Sequence, residues 1–197
     1  EPPPAGEKWQ TGFQLGGLGP FPELPIYGSA LSPGMLRAVG EVCDGVILWL
    51  CAPDYIRDVV IPEVTTGRER AGKSLDGFDV VAAVPSACTD DPSAAYAAMR
   101  RDLIPYFGLP FYRAMIERSG FGDAIAAFDA AAATGDGDAM QAAISERFLE
   151  ALTAVGDEDA VRAGVGRYLD AGAVSPCVGP IAGTDFDATL RAAAPGG

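Results

Sequence analysis

The residues of this chain best suited to chemistry form one short run, Gly28-Ser29-Ala30-Leu31-Ser32, closed by Pro33 and a helical pattern. Small side chains in such a turn let a ligand reach bare backbone amides. A helix opening there adds the partial positive charge of its amino end. Ser32 stands where an N-cap belongs, so its hydroxyl is expected to accept from a first-turn amide. Pro33 at the first helical position has no N–H to leave unpaired. The chemistry implied is anion binding, with a phosphate group as occupant.

Other candidates are weaker or are excluded. The sequence contains neither histidine nor asparagine, which removes Ser-His-Asp and Cys-His-Asn triads, a histidine general base and His-metal sites. Cys43, Cys51, Cys88 and Cys177 follow no metal-like spacing. Each lies in or beside an apolar segment, so they are expected to be small buried hydrophobes. Asp136-Gly137-Asp138 looks like the start of a calcium loop, but loop position twelve is Arg147, and a turn with a helix cap at Asp138 is the better reading. Asp91 before Pro92 is a helix start, so the Asp90-Asp91 pair is read as capping. Gly16-Gly17-Leu18-Gly19-Pro20 has no strand before it and no helix after it, and is read as a linker. Trp49 closes an apolar run and either walls a ligand site or packs into the core. The aromatic run Tyr106 to Tyr112 suits a core, or a lid whose inner side must exclude water.

The net charge of −13, with 14 basic residues scattered along 197, argues against a nucleic-acid surface. No apolar run reaches the ~20 residues a membrane span needs, and no signal peptide is legible at the start. A soluble, cytoplasmic protein is expected. A chain without an initiating methionine is expected to be processed, trimmed, or part of a longer protein.

The elements that must position the turn alternate. Residues 1–24 read as an irregular lead-in rich in Pro and Gly, and 25–197 as one α/β domain. Strand Ile26 to Ala30 leads into helix Pro33 to about Val42, with Met35, Leu36 and Val39 inward. Strand Val46 to Leu50 follows. A helix from Pro53 to about Ala71 carries the inward stripe Tyr55, Ile56, Val59, Val60 and Val64, is bent at Pro62 and stops at Gly72. Phe78 to Ala87 is a third strand, apolar enough to be covered on both faces. A helix then runs from Pro92 to about Ile104. Residues 105–156 read as a helical insertion, with segments Arg113 to Arg118, Ala124 to Ala133 and Ala139 to Leu152. Helix Asp157 to Asp170, strand Ser175 to Pro180 and a short helix capped near Asp185 end the pattern. Four strands, each followed by a helix, predict a parallel sheet with right-handed crossovers.

Taken in order, these motifs carry a resemblance. Pro25-Ile26-Tyr27 through Asp44-Gly45-Val46, Pro53-Asp54-Tyr55-Ile56 leading to Pro62, Val84-Pro85 through Thr89-Asp90-Asp91-Pro92, and Tyr106-Phe107-Gly108-Leu109-Pro110-Phe111-Tyr112 resemble the luciferase-like monooxygenase superfamily. Gly156, Ala171-Gly172 and Val178 to Pro180 resemble its closing unit. The match is best to the actinobacterial branch of coenzyme F420-dependent oxidoreductases, and runs from about Pro25 to Pro195. The resemblance implies a TIM (β/α)8 barrel, of which this chain holds the C-terminal half, about four βα units plus the insertion.

It also implies that the cofactor, F420 or alternatively FMN, places its phosphate at Gly28, Ser29, Ala30, Leu31, Ser32 and Pro33, with Trp49 beside the site. The redox ring and most acid/base residues would then belong to the first half, so no catalytic residue is assigned here. The expected activity is hydride transfer between the deazaflavin and a small-molecule substrate, with an FMN-dependent monooxygenase as the alternative. A different class of reading is a non-catalytic half-barrel completed by a partner or a second copy, a homodimer.

Overall fold

A parallel sheet organises the chain, and the computed structural model describes residues 23–194 of it. The expected lead-in and the Gly16 to Pro20 linker therefore lie outside the described residues, apart from Glu23 and Leu24. The strands are β1 (Tyr27–Ser29), β2 (Gly45–Leu48), β3 (Asp79–Cys88), β4 (Ala154–Gly156) and β5 (Ser175–Pro180). All pairings are parallel. Val81 and Ala82 pair with both β2 and β5, so those strands flank β3. Ser86 pairs with both β4 and β5, so β4 takes the edge of β3 that β2 leaves free. This makes five described strands rather than the expected four. Residues 154–156 had been read as the end of the insertion, yet they pair with the protruding end of β3.

The two faces of the sheet differ. Val46, Leu48, Val80, Ala82 and Val84 point under the helices and are at most 1 % exposed. On the opposite face Tyr27 is 38 % and Ile47 46 % exposed, and Cys177 is exposed. β3 is thus covered on one face and half-covered on the other, as suits part of a barrel rather than a doubly covered sheet. Of the cysteines only Cys43 and Cys51 are buried, because Cys88 and Cys177 end up at the strand end and on the open face.

Helix α1 (Pro33–Val42) returns from β1 to β2. Leu36 and Val39 pack inward, whereas Met35 is 52 % exposed and leaves the predicted stripe. The next helix is continuous but of three kinds: α2 (Pro53–Tyr55), a π turn over Ile56–Val60, and α3 (Ile61–Arg70). Pro62 explains the π turn. It offers no N–H to Asp58 and its ring crowds that carbonyl, and the widened turn has Ile61 N–H donating to Ile56 O. The crossing of α1 and α3 is close because of two glycines, Gly40 of α1 and Gly67 of α3: a Cβ on Gly40 would run into the Val64 carbonyl, and one on Gly67 into the Arg37 carbonyl.

Helix α4 (Pro92–Phe107) starts at Asp91, whose carboxylate accepts from Ala94 N–H at 3.1 Å. It runs three residues past the expected end because Pro105 sits on its exposed side, where a bend is tolerated and the freed carbonyl meets water. The insertion holds α5 (Pro110–Ile116), a second π turn (Glu117–Phe121) kinked at Gly120, α6 (Gly122–Thr134), α7 (Gly137–Ala143) and α8 (Glu146–Leu152). Asp136, not Asp138, caps α7, accepting from Ala139 N–H at 2.9 Å. Phe107, Phe121, Phe128 and Phe148 form its aromatic core, with ring centroids 5.0–5.6 Å apart. Helices α9 (Glu158–Asp170) and α10 (Phe186–Ala193) are capped by Asp157 and Asp185; the second cap is the expected one, whereas Asp157 had been read as the first residue of its helix.

Candidate functional site

Five helices begin at the carboxyl edge of the sheet, and their first turns are not alike. The carboxylates of Asp91, Asp157 and Asp185 cap α4, α9 and α10, and α2 carries Asp54 in its first turn. Helix α1 has neither. Ser32 holds the N-cap position with extended backbone and its carbonyl accepts from Leu36 N–H at 2.9 Å, but its hydroxyl makes no capping bond. The expected hydroxyl cap is therefore corrected. Pro33 is first in the helix, so the amides of Gly34 and Met35 have no intrahelical acceptor. Both residues are exposed. Two donors and the positive end of a ten-residue helix thus meet solvent with no acid nearby in the turn.

The preceding loop is shaped for this, though not as its composition suggests. Gly28 was read as leaving room for a ligand, yet a Cβ there would come within 2.7 Å of Val39 and 3.3 Å of Cys43 Sγ. Its small size lets α1 lie on β1. The Ala30 side chain is buried in the core, leaving only its backbone for a ligand. Ser29 is exposed and Leu31 half-buried. Beneath the loop, Tyr55 donates its hydroxyl to the Leu31 carbonyl at 2.7 Å. Sequence reasoning placed Tyr55 only on an inward stripe, although a tyrosine among Ile and Val signals a buried hydroxyl that needs an acceptor.

Trp49 lies two residues past Ile47, which is in register with Ser29. Its ring meets Tyr106 edge-on at 6.1 Å, and Tyr106 meets Tyr112 at 4.9 Å. Trp49 therefore joins the sheet to the insertion, and its buried Nε1 has no hydrogen-bond partner among the described residues. Leu50 follows in the left-handed region at φ 62°, a strained conformation for a branched side chain, and so turns the chain sharply after the strand. Leu109 and Phe111, from the same aromatic run, remain 46 % and 75 % exposed.

Five phenols, Tyr27, Tyr55, Tyr96, Tyr112 and Tyr168, hold their protons more firmly than an ordinary tyrosine. Burial pushes Tyr55 up to about 12 and Tyr168 well above the ordinary tyrosine range. A hydrogen bond to Asp79, at 3.0 Å, raises Tyr27. A raised phenol binds its proton more tightly in the folded state, so its contribution is intact below the ordinary value of 10.0. It is lost as pH climbs through that value toward the folded one. Melting temperature is accordingly expected to fall steeply between pH 10 and 12, with late phenolate absorbance accompanying unfolding. A melting temperature unchanged across that window would contradict the burial of Tyr55 and Tyr168.

Among the described residues no group of three or more His, Cys, Asp or Glu side chains is placed to hold a metal ion, and no helix is long and apolar enough to cross a membrane. The sequence profile of the luciferase-like monooxygenases matches residues 5–175. The chain belongs to this family. The match begins some way before Pro25, so the family's pattern includes much of the segment read as a lead-in. A 5,10-methylenetetrahydromethanopterin reductase of Methanopyrus kandleri is 31 % identical over 171 residues, which are 86 % of this chain and 48 % of the reductase. The solved coenzyme F420-dependent tetrahydromethanopterin reductase of that organism superposes with a TM-score of 0.69 at 26 % identity, covering 87 % of this chain and 49 % of the reductase. An F420-dependent secondary alcohol dehydrogenase, solved with an F420-acetone adduct, shares the fold at 16 % identity and a TM-score of 0.58, with 87 % and 46 % covered. The chain thus spans about half the length of these relatives, and its sheet is a partial barrel of their TIM-barrel type.

Proposed function

We propose that this chain is the cofactor-phosphate-binding part of a coenzyme F420-dependent oxidoreductase, which moves a hydride between the deazaflavin and a small organic substrate. The observation that carries the reading is the start of α1, the one helix of the five at the carboxyl edge with neither a carboxylate cap nor a first-turn acid. Ligands of open α/β sheets and barrels collect at that edge. The loop fits a phosphate: it offers the amides of Gly34 and Met35, which have no acceptor within the helix, the exposed Ser29, and the hydroxyl of Ser32, which makes no capping bond. The solved relatives differ in the substrate their names state, a tetrahydromethanopterin and a secondary alcohol, and share F420. That favours F420 as the cofactor and leaves the substrate open.

When bound, the deazaflavin supplies the hydride chemistry. The residues of this chain anchor its phosphate, and Trp49, Tyr106 and Tyr112 form an apolar wall beside the same edge. A second reading, an FMN-using monooxygenase, is favoured by the family's own description and would use the same anion site. Titration of the purified protein with F420 and with FMN decides. Tighter binding of F420 is the expected result, tighter binding of FMN supports the second reading, and binding of neither overturns both.

A further inference from the structure

The hydrogen bond from Tyr55 to Leu31 fixes more than a loop. A trans peptide holds its C=O and the following N–H pointing in opposite directions. With the Leu31 carbonyl turned inward to the Tyr55 hydroxyl at 2.7 Å, the Ser32 N–H must turn outward. The buried Ala30 side chain anchors the loop on one side and the Ser32 carbonyl, bonded to Leu36 N–H, starts the helix on the other. Between those two fixed points, the Leu31–Ser32 peptide is the unit whose orientation a single side chain controls.

Tyr55 reaches the loop because of the π turn behind it. In a regular helix each added residue rotates the chain by about 100°. The extra residue accommodated before Pro62 turns the α2 end of the helix relative to α3. As a result Tyr55, Val60 and Val64 share the buried side, at 2 %, 0 % and 0 % exposure. The phenol is buried and keeps its proton across the working pH range, so it remains a donor. π turns of this sort recur at functional sites because they re-aim one side chain without ending the helix.

We propose that Tyr55 is a positioning residue for the anion site: by holding the Leu31–Ser32 peptide, it turns the Ser32 amide outward to join those of Gly34 and Met35. This rests on the phosphate reading above. Without the hydroxyl the peptide is free to rotate, which presents the carbonyl oxygen to the anion in place of the N–H. The site then loses a donor and gains a repulsive dipole.

Tyr55→Phe removes the hydroxyl and keeps the ring. In the purified protein this variant is expected to bind F420 and FMN about tenfold more weakly, the worth of one hydrogen bond to a charged group. Affinity for phosphate-free riboflavin and for the deazaflavin core without its phosphate tail is expected to stay within about twofold. Equal losses for phosphate-bearing and phosphate-free ligands would show that Tyr55 merely supports the fold, and unchanged binding of all would show no role; either overturns the proposal. A second measurement separates it from the choice of cofactor. Inorganic phosphate added to the wild type is expected to shift the Ser32 amide resonance, and to leave it in place in the Tyr55→Phe variant. A Ser32 amide that ignores phosphate in the wild type, or moves equally in both proteins, overturns the inference even if F420 binds.

Discussion

Gly67→Ala is expected to lower the melting temperature by roughly 5–10 °C, the equivalent of about 2–3 kcal/mol for a domain of this size. Two effects compete at this position. Alanine is the better helix former by about 1 kcal/mol in a helix interior. Against that, the new Cβ would lie 2.0 Å from the Arg37 carbonyl oxygen, 2.9 Å from its carbon and 3.0 Å from Glu41 N. All three are backbone atoms of α1, so no rotamer change relieves the contact and the helix must move by an ångström or more. Close packing of the interior makes such a shift costly. The displaced helix is the one whose first turn presents the Gly34 and Met35 amides, so cofactor affinity is expected to fall together with stability. Gly166→Ala in α9 is the matched control, since nothing lies within 4 Å of its added Cβ. That change is expected to raise stability by about 0.5–1 kcal/mol. Thermal melts of the two variants decide; a Gly67→Ala protein melting at or above the wild type would mean that the α1–α3 crossing is looser than described.

The elements legible in the sequence are those whose signals are local. Strand β5 falls where expected at Ser175–Pro180, β3 within one residue at each end, and α9 ends where Asp170 and Gly172 predict. In each case the signal is local: an apolar run, a capping aspartate, or a glycine with positive φ. What was missed depends on partners far along the chain. Strand β4 is three residues, too short to show a period, and exists because β3 protrudes beyond β2. Gly28 looked like a ligand-side glycine, but its neighbour is Val39 of the following helix. Met35 fitted the inward stripe of α1 by spacing and faces solvent instead.

The candidate site divides in the same way. Its position, at the loop after β1 with Pro33 opening a helix, was readable from turn residues alone. Its electrostatic character was not. Ser32 has the right type and position to cap α1 yet leaves the first-turn amides free, a matter of rotamer that no spacing rule contains. Tyr55 acts on Leu31 across 24 residues, and its aim depends on a π turn that Pro62 induces. Trp49 stood as either wall or core. It packs as a joint between sheet and insertion, since its neighbours Tyr106 and Tyr112 arrive from the insertion.

If the open first turn of α1 is kept for an anion, filling it with a charge of the same sign should separate stability from binding. Gly34→Asp places a carboxylate at the second helical position, where the added Cβ has nothing within 4 Å. Aspartate there replaces a poor helix former and interacts favourably with the helix dipole, together worth about 0.5–1 kcal/mol. The melting temperature is therefore expected to rise by a few degrees, roughly 1–4 °C. Binding should move the other way. Two unit charges ~6 Å apart at an effective dielectric of ~20 repel by about 3 kcal/mol, which is about a hundredfold in affinity. The new side chain also competes for the Gly34 and Met35 amides. The loss is expected for F420 and FMN, to weaken as salt screens the pair, and to be absent for phosphate-free riboflavin. Gly34→Asn, of the same shape without the charge, is expected to recover most of the affinity. A Gly34→Asp protein that is more stable and still binds the phosphate-bearing cofactors as the wild type does would remove the anion from this helix. The missing cap would then be an unexploited stabilising position, as natural helices often retain.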